Sequence, residues 1–285
     1  MPEIILENKN GDQLSFGMMS PFQLVETQGL NPPEAYINTT EVSLIDGALF
    51  NSAKLNMRTI MLSFVIDQDP ARNRLEVYKV LKTKEPVRLY YNGEHRQVYI
   101  DGYVQQIQLD YWAMTQMVTV TILCPDPYFN GTDDLYSVIG SVISMFHWPA
   151  PDAAVTPQIL FGYYNQNNGF EIANRGDVEC GLIITIHANG VVNAPRIINY
   201  ITQEYIGVDR IMTIGDEIII DTRKGHKRVI RRSGGVDHNA FNYIKEGSTW
   251  LQLPAAGGVF IYTVDQGSAS DLEVTFEHRN LYEGV

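Results

Sequence analysis

A strand-like segment that runs into two prolines places the strongest constraint on this chain. Residues 121–129 read Thr-Ile-Leu-Cys-Pro-Asp-Pro-Tyr-Phe. Pro125 and Pro127 have no backbone N–H, so neither can continue the hydrogen-bond ladder of a central strand. Each proline also drives the residue before it towards an extended conformation. The run therefore predicts that a β-rich domain ends here and that a second domain follows.

Length and composition favour two packed domains made mainly of strands. A chain of 285 residues has room for two domains of ordinary size. Hydrophobic residues make up 45% of the chain and charged residues 19%, which excludes a disordered composition. The chain has 23 glycines and 16 tyrosines but few long stretches of strong helix formers, and this balance favours a mainly β fold.

Alternation and turn residues predict the elements of the first half. Residues 4–16 and 87–103 indicate hairpins, and the second hairpin turns at Asn92-Gly93. In residues 56–66 the apolar side chains recur at every second position, which is typical of a half-buried strand. Residues 42–50 are predicted as a further strand and residues 29–36 as a loop.

One helix is expected after the alternating strand. Asp69 is suited to the N-cap and Pro70 to the first turn. Leu75, Tyr78 and Leu81 recur at helical spacing and predict an apolar stripe. Pro86 is expected to stop any continuation.

The second half shows short strand-like runs between regular turn signals, which is typical of a β-sandwich. We expect a first domain over residues 1–130, a connector over 131–157 and a second domain over 158–285.

Several short motifs together resemble the distal tail protein family of siphophages. In the first half these are an Asp-Gly turn before a long strand and the Asp-Pro-Tyr-Phe junction. In the second half they are a Gly-Asp turn, a strand framed by Gly-Asp and Asp-Thr, and the closing Leu-Tyr-Glu-Gly-Val. The signature residues are Asp46, Gly47, Asp126, Pro127, Tyr128, Phe129, Gly176, Asp177, Gly215, Asp216, Asp221, Thr222, Gly225, Lys227 and Tyr282. A Pro-Gly-x-Asn turn typical of the family is replaced by residues 255–258, Ala-Ala-Gly-Gly.

The resemblance implies a fold and a role. It implies an N-terminal β-sandwich or split-barrel-like domain with one helix, followed by a galectin-like β-sandwich similar to carbohydrate-binding modules. Such proteins form a ring, usually a hexamer, at the virion tail tip. The ring contacts the tail tube, tape-measure and tail-associated or receptor-binding proteins, and DNA passes through it without specific binding. For this chain we expect no enzymatic activity and no cofactor, assembly in the bacterial host cytoplasm, and a ring interface within residues 47–66 and 87–109.

The net charge of −12 bears on this expectation. A conventional nucleic-acid binder more often has a basic surface. An acidic channel lining would let DNA pass without capture, but the same charge also suits any soluble surface, and both interpretations stay open. The first residues lack a basic region before a sufficiently long apolar run, and no apolar stretch reaches membrane-spanning length. We therefore expect neither secretion by a signal peptide nor a membrane partner.

Two local features allow competing interpretations. Arg228, Arg231 and Arg232 belong to the acid-free basic run of residues 223–232, which is either a contact for an acidic partner or a solvated hairpin. Tyr163 and Tyr164 precede a polar loop and are candidate sugar-stacking residues, which would make the second domain a carbohydrate-binding adsorption module. Trp250 alternates with Leu251 and Leu253, and the pattern favours core packing for its ring.

Catalytic and metal-binding motifs are missing from the sequence. The six histidines have no metal-site spacing, and there is no Gly-x-Ser-x-Gly elbow or phosphate loop. Cys124 and Cys180 lie in apolar strand-like contexts, which favours two buried free thiols over a disulfide or a metal site.

Overall fold

A computed structural model describes residues 2–17, 20–43, 46–110, 116–139, 142–144, 162–164 and 169–285. The chain divides into two compact units. Unit 1 contains residues 1–132 together with 281–285, and unit 2 contains residues 133–280. The sequence analysis placed the first boundary close by, at residue 130, but assigned the last residues to the second domain. They lie in unit 1 because Leu281–Tyr282 pairs with Phe129–Gly131.

Unit 1 is built on an antiparallel sheet with the strand order β2-β1-β7-β8-β9-β6-β3. Its elements are β1 (Glu3–Asn8), β2 (Gln13–Phe16), β3 (Phe22–Gln28), β4 (Ala35–Glu41), β5 (Ala48–Leu55), β6 (Arg58–Ile66), α1 (Pro70–Val80), β7 (Pro86–Asn92), β8 (Gln97–Leu109), β9 (Met117–Cys124) and β10 (Phe129–Gly131). β9 ends at Cys124, directly before the first of the two prolines, as the sequence predicted. The hairpins β1–β2 and β7–β8 were also predicted.

The sheet of unit 1 curls so that its two end strands meet around one core. Phe16 on β2 lies 6.2 Å from Phe22 on β3 and 4.8 Å from Phe64 on β6, measured between ring centroids. The inward residues of β6 alternate as predicted, with Ile60, Leu62 and Phe64 fully buried. This curl is what a split-barrel-like domain requires.

The described residues contain one α-helix, α1, and it starts where the sequence indicated. Asp69 caps it by accepting a hydrogen bond from the Arg72 N–H, and proline occupies its first turn. The predicted apolar stripe is wrong for Leu75 and Tyr78, which are 65% and 42% exposed, whereas Leu81 at its end is buried. Apolar spacing identified the helix but did not fix which side of it faces the sheet.

Unit 2 packs two antiparallel sheets into a sandwich, with strand orders β11-β25-β15-β20-β21-β22 and β14-β24-β17-β18. The remaining strands are β11 (Leu135–Ile139), β12 (Val142–Ser144), β13 (Gly162–Tyr164), β14 (Gly169–Ile172), β15 (Cys180–Ala188), β16 (Val192–Asn193), β17 (Arg196–Asn199), β18 (Tyr205–Gly207), β19 (Ile211–Met212), β20 (Glu217–Asp221), β21 (Arg228–Ser233), β22 (Val236–Asn239), β23 (Gln252–Leu253), β24 (Gly258–Thr263), β25 (Leu272–His278) and β26 (Leu281–Tyr282), the last of which belongs to unit 1.

The two sheets of unit 2 share an apolar core. Phe260 on β24 and Phe276 on β25 belong to different sheets, and their ring centroids are 5.4 Å apart. The segment expected to be a connector contributes to this sandwich where it is described, because β11 pairs with β25. Most of residues 140–168 lie outside the described residues.

Candidate assembly surface and signature residues

A two-stranded hairpin, β4–β5, is the most exposed element of unit 1. All but one of its strand residues are exposed, and neither strand pairs with another part of the sheet. The signature pair Asp46-Gly47 lies at its tip, where Gly47 has φ of 92°. That backbone angle is readily available only to glycine, so the signature serves a tight turn.

Both faces of this hairpin carry large apolar side chains. Tyr36 and Ile37 are adjacent on β4 and are 54% and 59% exposed, while Leu49 and Phe50 are adjacent on β5 and are 59% and 67% exposed. Adjacent residues of a strand point to opposite faces. Neither face is therefore covered by the described part of the chain, and each offers apolar area to a partner.

The sequence analysis located this surface only in part. Residues 42–50 were predicted as a strand, but Glu41 ends β4 and β5 begins at Ala48, so only the last three residues of that stretch lie in a strand. Residues 29–36 were predicted as a loop, although β4 begins at Ala35. An exposed hairpin has no buried face and gives no apolar-polar alternation to detect. The aromatic and β-branched run at residues 36–40 was the available signal.

The second region predicted for the ring interface, residues 87–109, offers no free strand edge. β7 pairs with β1 and β8, and β8 pairs with β7 and β9. These strands occupy the middle of the sheet, and their inward residues fill the core.

The Asp-Pro-Tyr-Phe signature forms a junction with a buried arginine that sequence reasoning missed. Arg58 is 3% exposed, and its guanidinium lies over the Phe129 ring at 4.6 Å from the centroid. It donates four hydrogen bonds to backbone carbonyl oxygens: from Nε to Pro127 (2.7 Å), from Nη1 to Gly29 (2.6 Å) and Asn31 (2.7 Å), and from Nη2 to Glu283 (2.5 Å).

The neighbouring signature residues complete this junction. The Asp126 carboxylate accepts the Tyr128 N–H at 3.1 Å, and Tyr282 pairs with Phe129 across β10 and β26. The Arg96 guanidinium lies 4.6 Å from the Tyr282 ring centroid and donates to the Gly284 carbonyl at 2.6 Å. Together these contacts join the backbone near residues 29–31 and 127–130, and the Arg96 side chain, to residues 281–284.

Signature residues of unit 2 also hold turns and strand ends. Gly176 donates its N–H to the Asn174 side chain at 2.8 Å, with Asp177 next in the same turn. Gly215 adopts φ of 83° in the turn before β20. The fully buried Thr222 hydroxyl is 2.8 Å from the Leu182 nitrogen and 3.1 Å from its carbonyl oxygen. That contact extends the β15–β20 pairing past the end of β20.

The arginines of the basic run are paired within unit 2. Arg231 donates to the buried Asp216 carboxylate at 2.7 Å, and Arg232 donates to Asp237 at 2.7 Å. Arg228 lies 3.5 Å from Asp221, which is fully buried.

The same run contains a bidentate pair, in which Arg223 contacts the Asp221 carboxylate at 2.9 and 2.8 Å. Burial raises the pKa of Asp216, but hydrogen bonds from Thr213 and Arg231 outweigh it and hold that pKa at about 2. The carboxylates that neutralise these arginines, Asp216, Asp221 and Asp237, lie outside the basic run itself. The sequence of the run alone therefore gave no sign of its ion pairs.

The aromatic candidates have different outcomes. The side chains of Tyr163 and Tyr164 lie outside the described residues, so the sugar-stacking prediction for the tyrosines stays a prediction. The core position favoured for Trp250 is wrong. Trp250 is only partly buried, and its ring packs at a tilt against the exposed ring of Phe241, with centroids 5.9 Å apart. Leu251 and Leu253, beside it, take the buried positions.

Reactive groups are few across the part of the chain that the structure describes. Both cysteines are buried free thiols, and burial raises the pKa of each to about 12. No cluster of three His, Cys, Asp or Glu side chains suited to a metal ion occurs among the described residues. Within those residues, no helix has the length and apolarity to cross a membrane.

Two family models match the chain, one in each unit. Residues 9–124 match the phage tail protein RIFT-related domain, and residues 175–280 match the C-terminal domain of siphovirus-type tail components. No curated protein sequence gives a significant match.

Solved structures share the fold. The crystal structure of the Dit protein of phage SPP1, described as a paradigm of the hub adsorption apparatus in phages that infect Gram-positive bacteria, is similar with a TM-score of 0.69 at 11% identity, over 98% of both chains. Chains of the phage P2 baseplate in its activated conformation, with Ca and with Sr, give TM-scores of 0.50 and 0.52 at 12% identity over the full length of both chains.

The two matched domains and the mainly β architecture define a component of a phage tail. More narrowly, the chain belongs to the distal tail protein family of siphophages. Its N-terminal domain has the curled sheet and single described helix, and its C-terminal domain is the β-sandwich.

Proposed function

We propose that this protein forms a closed ring, a hexamer, that joins the tail tube to the tail tip or baseplate and lets DNA pass. The observation that carries the proposal is the β4–β5 hairpin, which is exposed on both faces. The likeness to the SPP1 protein, whose description names a hub, supports a role as a connecting ring.

The hairpin is an element that needs a partner. An isolated two-stranded hairpin is at best marginally stable in water. Covering a large apolar side chain contributes about 1.5–3 kcal/mol, and this hairpin exposes four such side chains on its two faces. A second copy of the chain fits this role. If the hairpin binds a different patch on the next subunit, the same head-to-tail contact repeats from subunit to subunit until the ring closes.

The charge of the chain suits a passage for DNA. A net charge of −12 disfavours the release of counterions from phosphates, which drives non-specific DNA binding. Retention of DNA would slow its passage. We therefore propose that DNA passes without specific binding.

A structural role fits the chemistry of the described residues. The buried charged groups are engaged in ion pairs or backbone contacts, and the signature residues hold turns and the Arg58 junction. We propose that the protein is not an enzyme. Its partners would be the tail tube, tape-measure and tail-associated or receptor-binding proteins, with assembly in the host cytoplasm before incorporation at the virion tail tip.

Light scattering coupled to size exclusion, over a concentration series, tests ring formation. The wild-type protein should reach six times the 32.2 kDa mass of one chain. Phe50→Lys places a charge on the hairpin and should shift the protein to smaller species. Ile214→Lys is the matched control, because Ile214 is 76% exposed but lies in unit 2.

The outcomes separate the possibilities. Loss of assembly in Phe50→Lys with retention in Ile214→Lys supports the hairpin as the ring contact. If both variants keep the assembled mass of the wild type at every concentration, the hairpin is excluded from the interface. A wild-type monomer at all concentrations, also after mixing with purified tail tube protein, would overturn the ring proposal.

A further inference from the structure

Five Asn-Gly pairs occur in the sequence, and the fold places them in different backbone environments. They are residues 10–11, 92–93, 130–131, 168–169 and 189–190. Asn-Gly is among the dipeptides most prone to spontaneous deamidation, because glycine has no side chain to hinder the attack of its nitrogen on the preceding side chain. Since the reacting dipeptide is the same in all five pairs, their backbone environment decides which of them react.

Three of these pairs are restrained by backbone hydrogen bonds. The Gly11 N–H donates to a carbonyl oxygen at 3.0 Å, and the Gly93 N–H donates to another at 2.8 Å. Gly131 lies within β10, which pairs with β8. The glycine nitrogen must leave such contacts before it can attack, so these pairs react only after local opening. Asn168 lies outside the described residues.

The pair at residues 189–190 lies in the short connection between β15 and β16 and is not restrained in this way. Asn189 is exposed, and neither its side chain nor the Gly190 N–H has a hydrogen-bond partner among the described residues. The Asn189 N–H donates to the Asp271 carbonyl oxygen at 2.7 Å. The backbone before the pair is therefore anchored, whereas the peptide nitrogen that would react is free.

Packing accounts for a glycine at position 190. Gly190 does not have positive φ, so no turn geometry demands it. A Cβ on this residue would lie 2.5 Å from Cγ and 2.6 Å from Oδ2 of Asp271. Both distances are shorter than van der Waals contact. A larger residue would therefore displace the Asp271 side chain, and the close approach keeps a glycine directly after Asn189.

We propose that Asn189 is a site of spontaneous deamidation in the folded protein. The Gly190 nitrogen attacks Cγ of Asn189 and forms a new C–N bond. The bond between Cγ and the amide nitrogen breaks, and the proton of the Gly190 N–H passes through water to that nitrogen, which leaves as ammonia. Water then opens the resulting succinimide at either of its carbonyl carbons, giving aspartate or isoaspartate.

Either product changes the end of a central strand. A neutral amide becomes a carboxylate on a residue whose backbone is bonded to Asp271, and isoaspartate also adds one methylene to the backbone between β15 and β16. β15 pairs with both β20 and β25 in the larger sheet of unit 2. We expect both products to loosen the pairing at this end of β15. The inference is independent of ring formation, because the β4–β5 hairpin belongs to unit 1.

Peptide mapping by mass spectrometry tests the proposal on the full-length protein incubated at mildly alkaline pH. Asn189 should be converted at least about tenfold faster than Asn92 or Asn130, because the glycines after those residues must first be released by local opening. Labelling with an isoaspartate methyltransferase identifies the isoaspartate product. In concentrated urea the fold is lost, and all five pairs should react at similar rates.

Two variants make the test specific. Asn189→Gln keeps a side-chain amide but would have to close a larger ring, so it should abolish conversion at position 189 and leave Asn92 unchanged. Asn189→Asp reproduces one product and should speed amide hydrogen exchange at the end of β15. Asn10→Asp is the matched control, because Asn10 is also exposed but lies in unit 1.

Faster conversion of Asn189 in the folded protein, with the difference lost in urea, supports the proposal. Equal conversion of Asn189 and Asn92 in the folded protein overturns it. The proposal is also overturned if folding slows conversion at Asn189 as strongly as it does at Asn92 and Asn130.

Discussion

Replacing Arg58 should destabilise unit 1 more than any exposed arginine can. The guanidinium is 3% exposed and donates to four carbonyl oxygens at 2.5–2.7 Å. Arg58→Met keeps much of the volume but removes every donor. Each carbonyl left without a partner costs about 1–3 kcal/mol if it stays buried. Part of this loss is offset because a charged group no longer has to leave water, so we expect a net loss of about 3–5 kcal/mol.

Arg58→Lys tests whether geometry or charge matters. A lysine keeps the charge but lacks the planar fork that serves several acceptors at once. We expect an intermediate loss of stability. Arg88→Met is the matched control, because Arg88 lies in the same sheet and pairs with Asp101 at an exposed site. Such pairs contribute at most about 1 kcal/mol.

Urea unfolding gives the free energy of unfolding, and amide hydrogen exchange locates the change. Faster exchange in Arg58→Met should be concentrated at residues 29–31, 127–131 and 281–285, which meet at the guanidinium. If Arg58→Met and Arg88→Met lose the same stability, or if exchange in residues 281–285 is unchanged, the role assigned to Arg58 is refuted.

Three further predictions follow from single contacts. Gly29→Ala should cost several kcal/mol in urea unfolding, because Gly29 has φ of 83° and a Cβ there would lie 2.1 Å from the Thr59 carbonyl oxygen; Gly11→Ala, which also has positive φ but open space, should cost less. The pKa of Asp216 is about 2 in the folded protein against 3.8 in the unfolded chain, so this carboxylate should contribute about 2 kcal/mol to the free energy of unfolding. That contribution is fully present above pH 3.8 and is lost as the pH falls towards 2. Asp216→Asn should flatten this acid dependence when urea unfolding is measured across pH. Both cysteines should resist iodoacetamide at pH 8 in the native protein and react after unfolding, because burial raises their pKa to about 12; rapid native labelling would contradict their burial.

Periodicity and turn chemistry predicted much of this fold. The β9 end at Cys124, the cap at Asp69 and the inward side chains of β6 each depend on a few neighbouring residues. The family and the mainly β architecture were also predicted and are confirmed.

The unpredicted features depend on contacts between distant residues. Arg58 binds carbonyls up to 225 positions away, and no local pattern marks it as buried. Which face of α1 is buried, and whether the Trp250 ring is buried, depend on which neighbouring side chains pack into the core. Leu251 and Leu253 took the buried positions, leaving Trp250 to support Phe241 at the surface.

The pairing of β10 with β26 has a consequence for how this protein can be altered. Unit 2 begins just after β10 and ends just before β26. Because these two strands pair with each other, both connections of unit 2 join unit 1 at neighbouring positions. In topological terms the sandwich is an insertion within unit 1. A short turn from Thr132 to Leu281 would therefore close unit 1 by itself, and a different module could be exchanged at the same place without breaking the sheet that carries the β4–β5 hairpin.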